Sequence, residues 1–213
     1  MKAIVEAVKK EVEDIVSLHL LLEKPITYVP GQYVMISEPG EKKHAFSIVS
    51  ASGNKLRLVI KKLGDFTGRL SGLKQGHVFE LVGPYGRFNL PTEDKNIVFI
   101  AGGIGITPLY SMAKFGQDNR KDLKMDLFYC VKARDMAAMA DEVDSLESKN
   151  IHIHDIYTND GSRLSIGKIK ELVPDFKSRY YYICGPPPMM EDFRKNLTLE
   201  GIPDEHIRTE EFS

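Results

Sequence analysis

The pattern of the sequence changes near residue 90, and this change most constrains the fold. Before it, turn signals separate short runs of β-forming residues, among them 33–36, 56–60 and 78–82. This spacing predicts an antiparallel barrel or sandwich. Close to the amino terminus, Ile4, Val8, Val12 and Ile15 also fit one face of a helix, so periodicity alone leaves that segment open. We expect two strands there.

After the polar stretch 89–96, the pattern becomes an alternation of strand, loop and helix. The predicted strands are residues 97–101, 126–131, 151–157 and 180–184, and the segments 136–149 and 187–200 are predicted to be helical. Such an alternation requires crossover connections and therefore predicts a parallel α/β sheet. The expected domains are residues 1–92 and 93–213.

The composition narrows the choice of partners and compartments. The sequence has 29 Lys and Arg residues against 30 Asp and Glu residues, so we expect neither nucleic acid nor an anionic membrane as a partner. Cys130 and Cys184 are too few for a disulfide framework, a four-thiolate iron–sulfur cluster or a four-cysteine zinc site. We interpret His152 and His154 as a structural pair on one strand face and expect no metal site. A cytoplasmic location is expected, since neither a secretion signal nor a membrane span is evident.

A glycine-rich segment follows the first apolar strand of the second half. Gly102, Gly103 and Gly105 would let the backbone approach a phosphate, while Thr107 suits an N-cap and Pro108 suits the first helical position. The helix amides would then face an anion. The segment predicts a site for the pyrophosphate of a dinucleotide, and an ordinary tight βα turn is the alternative.

A second segment places Cys184 at the end of a strand, followed by Gly185, Pro186 and, three residues on, Met189. In open α/β sheets, ligands bind outside the carboxyl ends of the strands, so Cys184 is expected to face the same crevice as residues 102–108. The alternative is a small buried hydrophobic residue ahead of a helix.

Together with residues 31–33, 44–47, 64–70 and 83–88, these two segments resemble a known family. Their order and approximate spacing are similar to those of the ferredoxin NADP reductase-like flavoprotein oxidoreductases, from about residue 29 to residue 212. The resemblance implies a six-stranded antiparallel flavin-binding barrel followed by a Rossmann-like domain that binds a nicotinamide nucleotide.

The same resemblance implies an activity. The protein would be an NAD(P)H-dependent flavin reductase or oxygenase reductase without an iron–sulfur domain. It would pass hydride from NADH or NADPH to bound FAD, with FMN as the alternative flavin, and then pass electrons to an external acceptor. A ferredoxin, an oxygenase component or free flavin would serve as that acceptor.

The resemblance also implies the flavin-binding residues. The family's Arg-x-Tyr-Ser signature falls on His44, Ala45, Phe46 and Ser47, so His replaces the arginine that pairs with phosphate and Phe replaces the tyrosine. Ser47 would hydrogen-bond near flavin N5, and Phe46 would pack on the isoalloxazine. Amides and a hydroxyl for the flavin phosphates would come from Gly64, Asp65, Phe66 and Thr67.

On the nicotinamide side, the implied dinucleotide-binding residues are Gly102, Gly103, Gly105, Thr107, Pro108, Cys184, Gly185, Pro186 and Met189. The implied catalytic residues are Ser47, Cys184, Glu210 and Phe212, with Phe212 shielding the flavin and Glu210 orienting groups near the rings. NADH is the expected donor because the positive charges of Lys132, Arg134 and Arg163 lie in sequence close to Asp135 and Asp160.

Two alternatives remain open. Residues 158–162 resemble a loop in the electron-transfer subunit of dihydroorotate dehydrogenase, although that subunit carries a cysteine cluster and this sequence does not. The other alternative is a non-catalytic regulatory module that has lost its flavin, which the histidine at position 44 favours.

Overall fold

The computed structural model describes residues 1–211 and divides into two compact units, the first from Met1 to Asn89 and the second from Leu90 onwards. The first unit has a hydrophobic core inside a barrel. In the second, a hydrophobic core packs against one face of a parallel sheet.

The first unit is a closed six-stranded barrel in which neighbouring strands run antiparallel in the order β1-β2-β5-β4-β3-β6. A short helix, α1, follows β5. The elements are β1 Lys2–Val12, β2 Ile15–Leu22, β3 Tyr33–Ser37, β4 His44–Ser52, β5 Lys55–Lys61, α1 Asp65–Arg69 and β6 Val78–Tyr85.

The amino-terminal segment forms two strands, as predicted. In β1 the buried residues are Ala3 and Val5, which alternate as a strand requires, whereas Ile4 faces outwards and is 38% exposed. The helix-like spacing that begins at Ile4 therefore does not mark the core side. In β2, Val16, Leu18, Leu20 and Leu22 all point into the barrel core by the same alternation.

The second unit contains five parallel strands in the order β11-β10-β7-β8-β9. From β7 the chain proceeds outwards to β8 and β9, then returns to place β10 and β11 on the other side of β7. The switch point therefore lies between β7 and β10, where open α/β sheets bind ligands. The strands are β7 Asn96–Gly102, β8 Lys124–Val131, β9 Ile151–Tyr157, β10 Tyr180–Cys184 and β11 Ile207–Glu210.

In the described part of this unit there are four α-helices: α2 Ile106–Asn119, α3 Ala140–Asp144, α4 Ile166–Leu172 and α5 Pro187–Leu199. The predicted helix over 187–200 is confirmed by α5. The predicted helix over 136–149 is wrong in its length, because Met139 adopts a left-handed backbone conformation with φ 58° and the α-helix covers residues 140–144. Within residues 1–211, no helix combines the length and the apolar character needed to cross a membrane.

Candidate functional site

The glycine-rich turn after β7 begins the site in the second unit. A 3-10 turn covers Gly103–Gly105, and Gly103 has a φ of +54°, in the left-handed region that favours glycine. The helix α2 starts at Ile106 with Gly105 as its cap, so the predicted N-cap at Thr107 and first helical position at Pro108 are wrong. Thr107 is buried and donates its hydroxyl hydrogen to the carbonyl of Ile104 at 3.1 Å.

The turns after β7 and β10 are in direct backbone contact. A Cβ atom on Gly105 would lie 2.1 Å from the carbonyl oxygen of Cys184, and one on Gly102 would lie 2.7 Å from Cδ of Pro186. A Cβ atom on Gly185 would lie 2.9 Å from Cα of Gly102. Only glycine allows this approach, and the two segments that the sequence analysis placed in one crevice are brought together.

Cys184 ends β10 in a fully buried position. It lies opposite Ala101 of β7 on one side and Glu210 of β11 on the other. Burial raises the pKa of the Cys184 thiol, and the Glu210 carboxylate raises it further, so the thiol is protonated at neutral pH. Burial also raises the pKa of the half-buried Glu210 carboxyl. Phe212 lies outside the described residues.

A cavity of about 510 Å³ opens where β8 and β9 end, beside the start of α5. The sequence predicts a ligand-binding role for three of its lining residues, Arg163, Pro186 and Met189, and for none of the remaining six. Those are Cys130, Thr158, Leu164, Pro188, Asp192 and Phe193. Two of them could have been predicted from the sequence, because Cys130 and Thr158 lie at the carboxyl ends of two parallel strands, where open α/β sheets bind ligands.

Arg134 lies in the loop after β8 and is surrounded by carboxylates. Its guanidinium is 2.6 Å from Asp144, 3.2 Å from Asp141 and 3.2 Å from Asp155. The hydroxyl of Tyr157 donates to the same Asp155 oxygen at 2.7 Å. The positive charge of Arg134 is therefore already matched by its own neighbours.

In the first unit, the predicted flavin signature lies on β4. The imidazole of His44 stacks on the Phe66 ring with 4.2 Å between ring centroids and 11° between planes. The Phe46 ring lies 6.3 Å from the same Phe66 ring. Phe66 belongs to the buried barrel core, so the rings of His44 and Phe46 pack against a fixed ring on the core side.

The loop before α1 is shaped by one hydroxyl. Thr67 Oγ1 accepts hydrogen bonds from the amides of Leu63 at 2.8 Å and Gly64 at 3.1 Å, and it donates to the Gly64 carbonyl at 3.2 Å. A hydroxyl has one donor site and two acceptor sites. All three sites of the Thr67 hydroxyl are therefore used by hydrogen bonds within the loop. Thr67 therefore shapes the loop, and its contact with a flavin phosphate stays a prediction.

Two further motif segments, 31–33 and 83–88, meet beside Ser47. Tyr33 lies directly opposite Ser47 across β3 and β4, and the rings of Tyr33 and Tyr85 are 6.0 Å apart. The Gln32 side-chain amide donates to the carbonyl of Gly86 at 3.2 Å. A patch of aromatic rings around a hydroxyl suits a flat ring system with polar edges, so these residues fit a flavin.

The two strand histidines each have an acidic neighbour. His152 Nδ1 lies 3.1 Å from Glu147, and His154 Nε2 lies 3.0 Å from Asp126 while its ring stacks on Phe128. In the part of the chain that the structure describes, no three His, Cys, Asp or Glu side chains are grouped to hold a metal ion.

Both units match known domain families. Residues 2–89 match the family described as an FAD-binding domain, and residues 99–195 match the oxidoreductase NAD-binding domain. The fold and site thus define a flavoprotein that also binds a nicotinamide nucleotide.

Similar proteins and similar solved structures support the same kind of protein. The chain is 30% identical over 183 residues to a probable dihydroorotate dehydrogenase B (NAD(+)) electron transfer subunit of Pyrococcus furiosus, covering 85% of this chain and 69% of that protein. It is 28% identical to the reductase component of propane 2-monooxygenase of Rhodococcus jostii, covering 94% of this chain and 60% of that protein. The Amycolatopsis cytochrome P450 reductase GcoB superposes with a TM-score of 0.87 at 23% identity, covering 100% of this chain and 70% of that one.

The chain belongs to the ferredoxin NADP reductase-like family of flavoprotein oxidoreductases. It is an NAD(P)H-dependent oxidoreductase that uses FAD, with NADH or NADPH as co-substrate. The predicted fold class and cofactors are confirmed.

Proposed function

We propose that this protein takes hydride from NADH at the switch point of the second unit and delivers the electrons to an external acceptor. The observation that carries this proposal is the close contact of Gly105 with the Cys184 carbonyl. At this contact the backbone is free of side chains, so a ligand can approach it beside the buried Cys184 thiol and the Glu210 carboxyl. FAD, when bound, accepts a hydride and releases electrons singly or in pairs. The protein binds, orients and excludes water.

In the second unit, the backbone of Gly102–Gly105 would hold the pyrophosphate, with Gly185, Pro186 and Met189 forming the facing wall. The nicotinamide would lie against Cys184, which is uncharged and buried and therefore offers a dry surface. Glu210 would orient the nicotinamide from the neighbouring strand. The adenosine would occupy the cavity at the ends of β8 and β9.

In the first unit, Phe46 would pack on the flavin ring and Ser47 would bind its polar edge. His44 would hydrogen-bond to the flavin phosphates in place of the family's arginine. Its stack on Phe66 fixes the plane of the imidazole. The exposed side chains of Lys42 and Lys43, which come just before β4, supply further positive charge.

The acceptor would be a ferredoxin or an oxygenase component, with free flavin as the third choice. Relatives named as reductase components and electron transfer subunits support an external acceptor. The two cysteines of the sequence are too few for an iron–sulfur cluster with four thiolates, so within these residues the flavin would be the group that passes the electrons on.

A second candidate is an electron-transfer subunit that serves a partner dehydrogenase. The Pyrococcus relative supports it, and so does the position of Thr158, the first residue of the resembling loop, in the wall of the cavity. The two candidates differ in the partner that accelerates turnover. A ferredoxin or oxygenase component should stimulate NADH oxidation in the first case, and a second flavoprotein subunit should do so in the second.

Anaerobic absorbance spectroscopy tests the proposal. The purified protein, supplied with FAD, should be yellow and should bleach when NADH is added. A flavin site of this kind should bind FAD with micromolar affinity or better, about −8 kcal/mol. A colourless protein that does not bind FAD would instead support the non-catalytic module.

Replacing Cys184 with Ala tests the nicotinamide site directly. The smaller side chain leaves a gap between Ala101 and Glu210, so the nicotinamide would be held less accurately, and misplacement of this order costs about tenfold or more in rate. We expect slower flavin reduction in stopped-flow measurements with FAD affinity unchanged. Equal rates in the variant and the wild type would remove Cys184 from the site.

A further inference from the structure

A partly buried charged network lies on the same sheet face as Cys184 and Glu210. Asp94, just before β7, is fully buried, and its Oδ2 accepts a hydrogen bond from the Tyr182 hydroxyl at 2.5 Å. The guanidinium of Arg208 on β11 contacts both Asp94 Oδ2 and the Tyr182 hydroxyl. Asp94 Oδ1 is buried and has no hydrogen-bond partner among residues 1–211. We call Asp94, Tyr182 and Arg208 the latch.

Tyr182 and Arg208 of the latch each lie two residues before a residue of the proposed nicotinamide site. Tyr182 lies opposite Arg208 in the parallel register of β10 and β11, and Cys184 lies opposite Glu210. Residues two apart in a strand share a face and are separated by about 6.6 Å. Arg208 is therefore the nearest neighbour of Glu210 on its own face of β11.

The strand β11 has little else to hold it on this face. It has four residues, of which only Ile207 is buried, and it pairs with β10 along one edge. The Arg208 guanidinium lies over the rings of Tyr180 and Tyr182 at 5.5 Å and 5.1 Å from their centroids. Two tyrosine rings and a buried carboxylate thus fix this side chain, and through it the strand.

We propose that the latch holds β11 against β10 and so positions Glu210 beside Cys184, which makes Asp94 and Arg208 positioning residues for the nicotinamide step. The proposal rests on the proposed function for its catalytic consequence. Buried ion pairs add little net stability compared with apolar packing, but they specify geometry, which is the role inferred here.

The first experiment measures the accessibility of Cys184. In a Cys130→Ser background, the rate of iodoacetamide labelling reports Cys184 alone, because the sequence contains two cysteines. We expect Arg208→Gln, and the uncharged pair Asp94→Asn with Arg208→Gln, to raise this rate about tenfold or more as β11 opens locally. Arg208→Lys, which keeps the charge but loses the planar fork, should give a smaller increase.

The matched control is Arg179→Gln. Arg179 is more buried than the half-buried Arg208, and its ion pairs are with Asp126 of β8 at 3.3 Å and with Asp175 at 2.8 Å, neither of which belongs to β11. Labelling of Cys184 should change in this variant only as far as its unfolding free energy changes. If labelling in all variants simply follows unfolding free energy, or if Arg208→Gln leaves it unchanged, the latch is disproved.

The second experiment measures flavin reduction in chains with the natural Cys130. Arg208→Gln should lower the rate at saturating NADH about tenfold or more, change KM less than threefold, and leave FAD affinity and the flavin spectrum unaltered. Arg208→Lys should restore part of the rate. A loss in KM alone would contradict a positioning role. If wild type is not reduced by NADH or NADPH, the proposed function fails, while the labelling experiment still decides whether the latch holds β11.

Discussion

The side chains at the ends of β10 and β11 have surroundings that favour their uncharged forms. Burial raises the pKa of both Cys184 and Glu210, and the Cys184 thiol stays protonated at neutral pH, so it is not suited to nucleophilic attack there. Hydride transfer needs no nucleophile from the protein. A protonated thiol beside a half-buried carboxyl suits the orientation of the uncharged dihydronicotinamide ring.

The raised pKa of Glu210 predicts a pH-dependent stability effect. The folded state holds the proton more tightly than the unfolded chain, whose Glu pKa is near 4.5, so this contribution to stability is complete below that value. It is lost as the pH rises through the folded pKa. Glu210→Gln should therefore have a higher Tm than wild type at pH 7.5, and the difference should shrink towards pH 5. Glu211→Gln, at an exposed neighbour, is the control and should show no such trend.

The surroundings of Arg134 predict a preference between the two nicotinamide nucleotides. Its charge is engaged by Asp141, Asp144 and Asp155, so it is poorly placed to bind a 2′-phosphate. We expect kcat/KM for NADH to exceed that for NADPH by about tenfold or more, which is about 1.4 kcal/mol.

Replacing both Asp144 and Asp155 with Asn should release Arg134 and narrow that gap. It should also tighten binding of 2′,5′-ADP relative to 5′-AMP, measured by calorimetry without any turnover. The highly exposed Asp141 provides the control, since Asp141→Asn should have a smaller effect. A wild-type preference for NADPH would overturn the assignment.

At the scale of elements, the turns after β7 and β10 form one interlocked structure. A Cβ atom at position 105 would meet backbone, which cannot move aside as a flexible side chain can. Gly105→Ala should therefore separate the two turns and destabilise the protein by about 1–3 kcal/mol or more. It should also abolish detectable binding of ADP-ribose in calorimetry.

Gly167 in α4 offers a matched control. A Cβ atom there would have its nearest neighbour at 3.7 Å, the hydroxyl of Ser165. Gly167→Ala should keep ADP-ribose affinity and raise Tm slightly, because alanine favours the helix by up to about 1 kcal/mol. Similar losses in both variants would show that position 105 has no special constraint.

The elements also show how far the sequence could predict this site. Alternating hydrophobicity located the strands, and the chain order of a doubly wound sheet brought residues 102–105 and 184–189 together. The helix over 136–149 and the cap at Thr107 were wrong because a left-handed Met139 and a preceding 3-10 turn are not encoded by periodicity. Thr67 has a residue type suited to phosphate, and only the loop geometry reveals that its hydroxyl is fully used.

At the scale of the whole molecule, the two kinds of site are assigned to different units. The rings around Ser47 and the Thr67 loop belong to the unit Met1–Asn89, which matches an FAD-binding domain. The interlocked turns and the cavity belong to the unit from Leu90 onwards, which matches an NAD-binding domain. Each unit has its own core, so each ligand should act on the local stability of its own unit.

Hydrogen exchange measured by mass spectrometry tests this division in the intact protein. FAD should slow exchange in residues 44–47 and 63–67, and ADP-ribose should slow it in residues 102–105 and 184–189. A ligand at a hundred times its Kd stabilises its site by about 2.7 kcal/mol, so amides that exchange by opening of that site should slow about a hundredfold. Gly105→Ala should lose the ADP-ribose effect and keep the FAD effect, because the substitution lies in the second unit. Protection of residues 44–47 by ADP-ribose alone, or of 102–105 by FAD alone, would contradict the assignment of one ligand to each unit.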